Sequence, residues 1–450
     1  MATRTTKLTT FAWLGDAFEP CGLLTLTEDG NTLVASEFAY GLRYLQRQNR
    51  IEVDPVSLGL TRLDRVEGNA LFPANRLPFF GGIRDASPDS WGRRVIESKL
   101  RAPVNSLPES TYLLEAGGNR VGALDIRRDL HTPTHNGINP EIGLGYLMEA
   151  ADRIEAGEEV PARLEAIFTE GTALGGARPK ATIRNENGCL QLAKFRSRTD
   201  RFDMPKVEMA ALRLAVECGL TVPPVGCVDV GGRSVMLIHR FDRYWSESAT
   251  TPLPREWMLT QPGDGLLERR IPFISALTLV GCSEEESRLK SYMDIAQGVR
   301  TYIHPDMVAL NLSELFGRMV FNIFVTNDDD HLRNHGFIYD DGLKGWRLSP
   351  LYDVMPRPGV AQERQLHLGV GQQGKLATLD NALSSCAAFG LSEAQAIARF
   401  AAIWSKVREW KVFFEEYGVA GADINAVESA FRHVRDIASP DLVEKIQAQP

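Results

Sequence analysis

An apolar helix that ends in an unbroken run of carboxylates constrains this chain more than any other feature. Residues 315–325 are apolar nearly all round and lead into Thr326-Asn327-Asp328-Asp329-Asp330-His331-Leu332-Arg333-Asn334. A helix hydrophobic on every side belongs in a core. Three adjacent carboxylates repel one another, and burying them together is costly unless a cation is present. An acidic loop after a helix is ordinarily a solvated turn, so the loop alone decides little. Asn334 changes its meaning. Asp329 and Asn334 are five residues apart, the interval at which phosphoryl-transfer enzymes place an Asp near the acceptor hydroxyl and an Asn on the metal. A second metal-binding Asp then comes from a strand end downstream. Leu348-Ser349-Pro350-Leu351-Tyr352-Asp353-Val354 supplies it, after a hairpin expected over 337–348 with Asp341-Gly342 at its turn. Oxygen ligands with one amide suit Mg²⁺. The pattern reads as an ATP-using phosphotransferase site at Asp329, Asn334 and Asp353. His331 is expected to orient the loop as a hydrogen-bond partner.

The surroundings agree with an ordinary globular enzyme. Of the 450 residues, 44% are hydrophobic and 24% charged, a common balance for a folded soluble chain. The formal net charge of -8 argues against a protein that grips nucleic acid by itself. Six cysteines lie at 21, 189, 218, 227, 282 and 386, none in a C-x-x-C pair, which favours reduced thiols over a disulfide framework or a zinc site. The start, MATRTTKLTTFAWLGD, carries no long apolar h-region, and no run of 18 apolar residues follows. A cytoplasmic protein with no membrane contact is the expectation.

Along the chain, residues 8–40 read as short strands and turns, with Glu28-Asp29-Gly30-Asn31 as a hairpin turn. Ser87-Pro88-Asp89 is placed to cap a helix with Trp91, Val95, Ile96 and Leu100 on one face. Residues 119–124 read as a turn and strand, 130–142 as a linker, and 143–156 and 160–168 as helices. Gly171-Thr172-Ala173-Leu174-Gly175-Gly176-Ala177-Arg178-Pro179-Lys180-Ala181 is a glycine-rich loop entering a strand at 181–184. Residues 190–195 form the next strand and carry Lys194; 206–218 form a helix stopped by Gly219; 225–230 and 234–238 are two more strands. From residue 270 onward the pattern is mainly helical, over 272–280, 284–300, 306–326, 392–417 and 422–438.

The glycine-rich loop lets backbone N–H groups approach phosphates closely, although it lacks the P-loop pattern. Taken alone it is an ordinary tight turn. Lys194 is placed to touch the α/β phosphates and Glu208 to pair with it, as a strand lysine and helix glutamate do in protein kinases. His239-Arg240-Phe241 stands between the α/β part and the helical part, where a hinge offers backbone groups to adenine.

Together GTALGGARPKA, LAKF, IHRFDR, NDDDHLRN and LSPLYDV resemble the HipA family of bacterial serine/threonine kinases, toxins of toxin–antitoxin pairs. The stretches PFFGGIRDASPDSWGRRVIESKL and NRVGALDIR are similar to that family's amino-terminal subdomain. The resemblance implies an α+β, two-lobed protein-kinase-like fold, distantly similar to phosphatidylinositol kinases. It divides the chain into an amino-terminal β-rich subdomain (1–130), an ATP-binding α/β lobe (143–245) and an α-helical catalytic C-lobe (246–450). It implies Asp329 as catalytic base with His331 beside it, and Asn334 and Asp353 as Mg²⁺ ligands. It further implies ATP contacts from Gly175, Gly176, Ala177, Arg178, Pro179, Lys180, Lys194, Glu208, His239, Arg240, Phe241, His331, Leu332, Arg333, Asn334, Tyr352 and Asp353. The implied partners are a small helix-turn-helix antitoxin of HipB type, operator DNA through that antitoxin alone, and a protein substrate such as an aminoacyl-tRNA synthetase. Many members carry an autophosphorylated serine where this chain has Ala173, which leaves Thr172 as the nearest hydroxyl. A small-molecule kinase and a catalytically silent co-repressor subunit remain as alternatives.

Overall fold

The computed structural model describes residues 3–134, 143–170, 176–247 and 253–449. The chain forms two compact units. The first comprises residues up to Arg198 together with Asp229–Ile274 and Ile338–Lys344; the second comprises Thr199–Val228, Ser275–Phe337 and Gly345 onward.

The first unit opens with three long antiparallel strands, β1 (Arg4–Leu14), β2 (Ala17–Asp29) and β3 (Thr32–Tyr40). They start earlier and run longer than the expected short strands. Alternation explains why they stay paired: Leu24 and Leu26 on β2 and Phe38 and Tyr40 on β3 point to one core. After the strands comes α1 (Ser90–Leu100), capped by the Asp89 carboxylate, which accepts from the Gly92 N–H at 3.0 Å. Trp91, Val95 and Ile96 are buried as expected, whereas Leu100 in the last turn is exposed. The short strand β4 (Leu124–Arg127) adds to β1, giving the order β3-β2-β1-β4.

A second sheet in this unit is built from β5 (Lys180–Arg184), β6 (Leu190–Phe195) and β7 (Arg233–His239), all antiparallel. The turn between β5 and β6 is set by Asn185, whose Oδ1 accepts from the N–H groups of Asn187 and Cys189. The helix α2 (Leu144–Ala156) shares a core with this sheet, α1 included, through Ala150, Ala151, Ala193, Phe195, Trp91 and Val95. The helix expected over 160–168 is instead a 3₁₀ turn at Ala162–Leu164 and a short helix at Ile167–Glu170. The strands β8 (Arg243–Ser246) and β9 (Leu267–Arg270) pair as an antiparallel ribbon.

The second unit is α-rich. Its first helix, α3 (Met204–Glu217), begins two residues before the expected start because Pro205 fits the first turn, where its missing N–H is not needed. Gly219 closes it at φ 75°. The expected helix over 284–300 is two elements, Glu284–Ser287 and α4 (Tyr292–Tyr302), each opened by its own capping box, at Ser283 and Ser291. The segment 272–280 starts extended and becomes helical only at Ala276–Val280, capped by Ser275. Centrally runs α5 (Pro305–Val325), which by length and apolarity alone could cross a bilayer. It is a core helix: 72% of its most apolar window is buried, and its Arg318 is buried with Nη2 donating to the Ser349 carbonyl at 2.6 Å. The tail is shorter helices than expected, α6 (Glu393–Val407), Trp410–Glu416, Gly421–Val427 and Val434–Ile437. Trp410 stacks on Phe431 at 3.8 Å between ring centroids, which folds the tail back on itself. Among the described residues all six cysteines are free, and five are buried.

Candidate active site

The site is built where α5 stops. Thr326 ends the helix in the left-handed region at φ 49°, and its hydroxyl donates to the Ala430 carbonyl at 2.5 Å. Asn327 is buried beneath the turn. Its Nδ2 donates to Asn322 Oδ1 at 3.1 Å, and its Oδ1 accepts from the Met355 N–H at 3.4 Å. One side chain therefore joins the helix end, the acidic loop and the segment that carries Asp353.

The three aspartates separate by environment. Asp330 is buried, and its Oδ2 takes the Tyr292 hydroxyl and His335 Nε2, the latter at 2.9 Å. Burial pushes its carboxyl up, but the His335 and Tyr292 contacts outweigh that and hold it below the ordinary carboxylate range. Asn322 Nδ2 donates to the same Tyr292 hydroxyl at 3.1 Å. Burial pushes the Tyr292 phenol far up, and the Asp330 charge adds to it. Asp328 and Asp329 stay half in water, and Arg357 spans both, 2.6 Å from Asp329 Oδ2 and 3.3 Å from Asp328 Oδ1. Burial raises the Asp328 carboxyl in spite of Arg357. The repulsion expected of the run is thus relieved by His335 and Arg357.

Asp329 and Asn334 face each other across the loop, with Asn334 Nδ2 donating to the Asp329 carbonyl at 3.0 Å. That bond fixes the amide and leaves its oxygen as the atom able to meet a cation. Leu332 is fully buried and Arg333 pairs with Glu284. Tyr352 donates its hydroxyl to the Arg333 carbonyl at 2.8 Å, which seats the Asp353 segment on the loop. Asp353 itself has φ 60°. A non-glycine residue held there is strained, and such strain gathers at functional sites. An amide oxygen and a carboxylate on adjoining backbone are a donor set that fits Mg²⁺.

His331 departs from expectation. Its Nδ1 is buried without a hydrogen-bond partner, and its ring lies edge-on to His367 at 5.9 Å. The histidine that holds the loop is His335. Burial, with His331 next, lowers the basicity of His367. Tyr292, Asp330, His335 and Arg357 are the residues sequence reading missed. Only the Ser291-x-x-Asp294 capping box hinted that Tyr292 begins a helix of its own.

In the first unit the described part of the glycine-rich loop begins at Gly176; Thr172, Ala173 and Gly175 lie outside the described residues. Gly176 has φ 110°, and a Cβ there would sit 2.4 Å from Lys180 Nζ. Only glycine fits. Ala177 is exposed, Arg178 half-buried and Pro179 buried, and the Pro179 carbonyl accepts from the Phe195 N–H at 3.0 Å. Lys180 is buried 3.5 Å from Asp89 and lies directly across the β5–β6 ladder from Lys194, on the same sheet face. The two lysines thus share one register position beside the loop. Glu208 is buried on α3, in the second unit.

The hinge residues divide. Burial lowers the basicity of His239, and Phe241 packs against Phe273 at 6.0 Å. Arg240 has its side chain engaged within the first unit. Its guanidinium is buried on Asp242 and on the carbonyls of Asn119 and Arg120, and its N–H is taken by the Leu190 carbonyl. Asp242 also accepts from Arg243 at 2.8 Å and from the Gly122 N–H at 2.7 Å. Burial pushes the Asp242 carboxyl up, but Arg240 and Arg243 overcome it and hold it well below the usual range.

Comparison with known proteins gives the family and the fold. Residues 172–411 match the family model described as the HipA-like C-terminal domain. The chain is 26% identical over 365 residues to "Putative kinase Y4mE" of Sinorhizobium fredii, covering 76% of this chain and 77% of that protein. A kinase-designated protein of Haemophilus influenzae is 28% identical over 169 residues, covering 36% of this chain and 44% of that protein. The HipA structure of Shewanella oneidensis, solved with HipB and its operator DNA, repeats the fold with a TM-score of 0.62 at 16% identity. It covers 98% of this chain and 97% of that one. The mixed α+β architecture is therefore that of a two-lobed, kinase-like fold. Since the family model spans more than half of its length, this chain belongs to the HipA family of kinases.

Proposed function

We propose that the chain is an ATP- and Mg²⁺-dependent serine/threonine protein kinase that transfers the γ-phosphate to a protein hydroxyl. The observation that carries this reading is the arrangement at the end of α5. Asp329 and Asn334 are tied by a 3.0 Å bond, and Asp353 is held at φ 60° on a segment hydrogen-bonded to the same loop. Family membership supports ATP as phosphoryl donor. Asn334 and Asp353 would hold Mg²⁺, which when bound neutralises phosphate charge. Asp329 accepts the hydrogen bond of the acceptor hydroxyl and takes its proton as the new P–O bond forms, while the bond from the γ-phosphorus to the β–γ bridging oxygen breaks and ADP leaves with that oxygen. Asn334 positions the Asp329 backbone. Gly176, Ala177 and Arg178 supply N–H groups and Lys180 and Lys194 cations for the phosphates, with Gly175 before them, and His239, Arg240 and Phe241 border the adenine.

The three-part division at 1–130, 143–245 and 246–450 is retained as the functional division. Thr172 is the candidate for loop autophosphorylation. The Shewanella oneidensis likeness supports a small helix-turn-helix antitoxin of HipB type as partner, with operator DNA engaged through it. An aminoacyl-tRNA synthetase is the proposed class of substrate, and the cytoplasm the proposed compartment. The test offers γ-labelled ATP to a bacterial lysate with wild type or Asp329→Ala. Label on protein serine or threonine, dependent on Asp329, supports the reading; label that enters metabolites alone defeats it.

A further inference from the structure

We propose that Arg357 is a positioning residue that holds the Asp329 carboxylate in register with Asp353. The proposal rests on the kinase reading above. Arg357 lies four residues after Asp353 on the same segment. Its backbone is fixed on both sides. Its N–H donates to the Thr326 carbonyl at 3.1 Å, and its carbonyl accepts from Arg364 Nη1 at 3.4 Å. Arg364 is itself anchored, with Nη1 3.2 Å from Thr326 Oγ1 and Nη2 2.6 Å from the Gly359 carbonyl. From this fixed base the guanidinium reaches back across the loop to Asp329 Oδ2 and Asp328 Oδ1.

Half of each partner remains exposed, at 49% for Arg357 and 51% for Asp329. An ion pair so exposed adds little to stability. What it supplies is geometry. The planar guanidinium fork spans two carboxylates that would otherwise repel, and it engages Oδ2 of Asp329, leaving Oδ1 to the acceptor hydroxyl. The same short segment thus carries a proposed metal ligand and the clamp on the base. A shift of that segment moves both together.

The test measures total γ-phosphate transferred, to water and to lysate protein together, alongside binding of a fluorescent Mg·ATP analogue. The proteins are wild type, Arg357→Ala, Arg357→Lys and Asp329→Ala. Arg357→Ala is expected to lower kcat about 10- to 100-fold, the scale of a misplaced catalytic group. Its KM for ATP and its affinity for the analogue stay within about twofold, as for an interaction that serves the transition state alone. Arg357→Lys recovers part of kcat, because an ammonium supplies the charge without the fork. Guanidinium chloride at low millimolar concentration partly rescues Arg357→Ala. An active wild type with kcat unchanged in Arg357→Ala overturns the role of Arg357. So does a loss confined to KM and nucleotide affinity, or a loss equal in both variants with a lowered melting temperature. A wild type that transfers no phosphate overturns the kinase reading beneath it.

Discussion

Replacing Asp330 by Asn tests whether the catalytic loop is held from below. Asp330 is 1% exposed, and one oxygen receives both the Tyr292 hydroxyl and His335 Nε2. Asparagine keeps the volume but removes the charge, so with its oxygen in the place of Oδ2 both donors meet a neutral acceptor. Hydrogen bonds to a charged group contribute about 1.5–3 kcal/mol each and neutral ones about 0.5–1.5, so weakening both costs about 2–4 kcal/mol. For a unit of this size that lowers the melting temperature by about 4–16 °C. Thermal melting followed by circular dichroism reads it directly. A Tyr292→Phe and Asp330→Asn double-mutant cycle should give a coupling of about 0.5–3 kcal/mol, since the two groups share a bond. The pH dependence has a definite sign. The folded carboxyl lies below the ordinary value of 3.8, so its stabilisation is present above the unfolded pKa and is lost as pH falls through the folded one. The gap between wild type and Asp330→Asn is therefore full near neutrality and narrows below about pH 4. Melting of Asp330→Asn indistinguishable from wild type at pH 7 would refute the argument.

Other outcomes follow from the same structure. Asp242→Asn leaves Arg240 and Arg243 buried without their anion, and should cost about 3–5 kcal/mol in chemical denaturation. Gly176→Ala forces a Cβ against Lys180 and a residue at φ 110°, a strain of about 1–3 kcal/mol that appears as weaker nucleotide binding by titration with a fluorescent ATP analogue. Asp353→Asn should keep stability within about 0.5 kcal/mol, because asparagine tolerates the left-handed conformation. The same variant loses Mg²⁺-dependent transfer, so activity and melting measured on one preparation separate the two effects.

Local pattern made much of this fold legible. Alternation over 8–40 gave strands, and the Asp89 cap with Trp91, Val95 and Ile96 gave α1. Gly219 marked the end of α3. Breaks in the long helices were hidden for different reasons. Ser291-x-x-Asp294 announced one, but nothing local marks the interruption between Val407 and Trp410, which is imposed by the packing of Trp410 on Phe431. In the candidate site, the spacing of Asp329, Asn334 and Asp353 marked them as candidates, and the structure joins the loop to the Asp353 segment. Their supports could not be read from the sequence. Tyr292 reaches Asp330 across 38 residues and Arg357 reaches Asp329 across 28, and no periodicity encodes such contacts. The bond of the Arg240 guanidinium to the buried Asp242 carboxylate was likewise invisible, because a position between two parts of the chain says nothing of what its side chain meets.

The most direct test of the account compares the rate of γ-phosphate transfer to protein by wild type and by Asp329→Ala, with Mg·ATP binding measured on both. The account predicts a loss of at least about 100-fold in transfer, the scale of a general base, with nucleotide binding and melting preserved. Transfer by Asp329→Ala at the wild-type rate would contradict it.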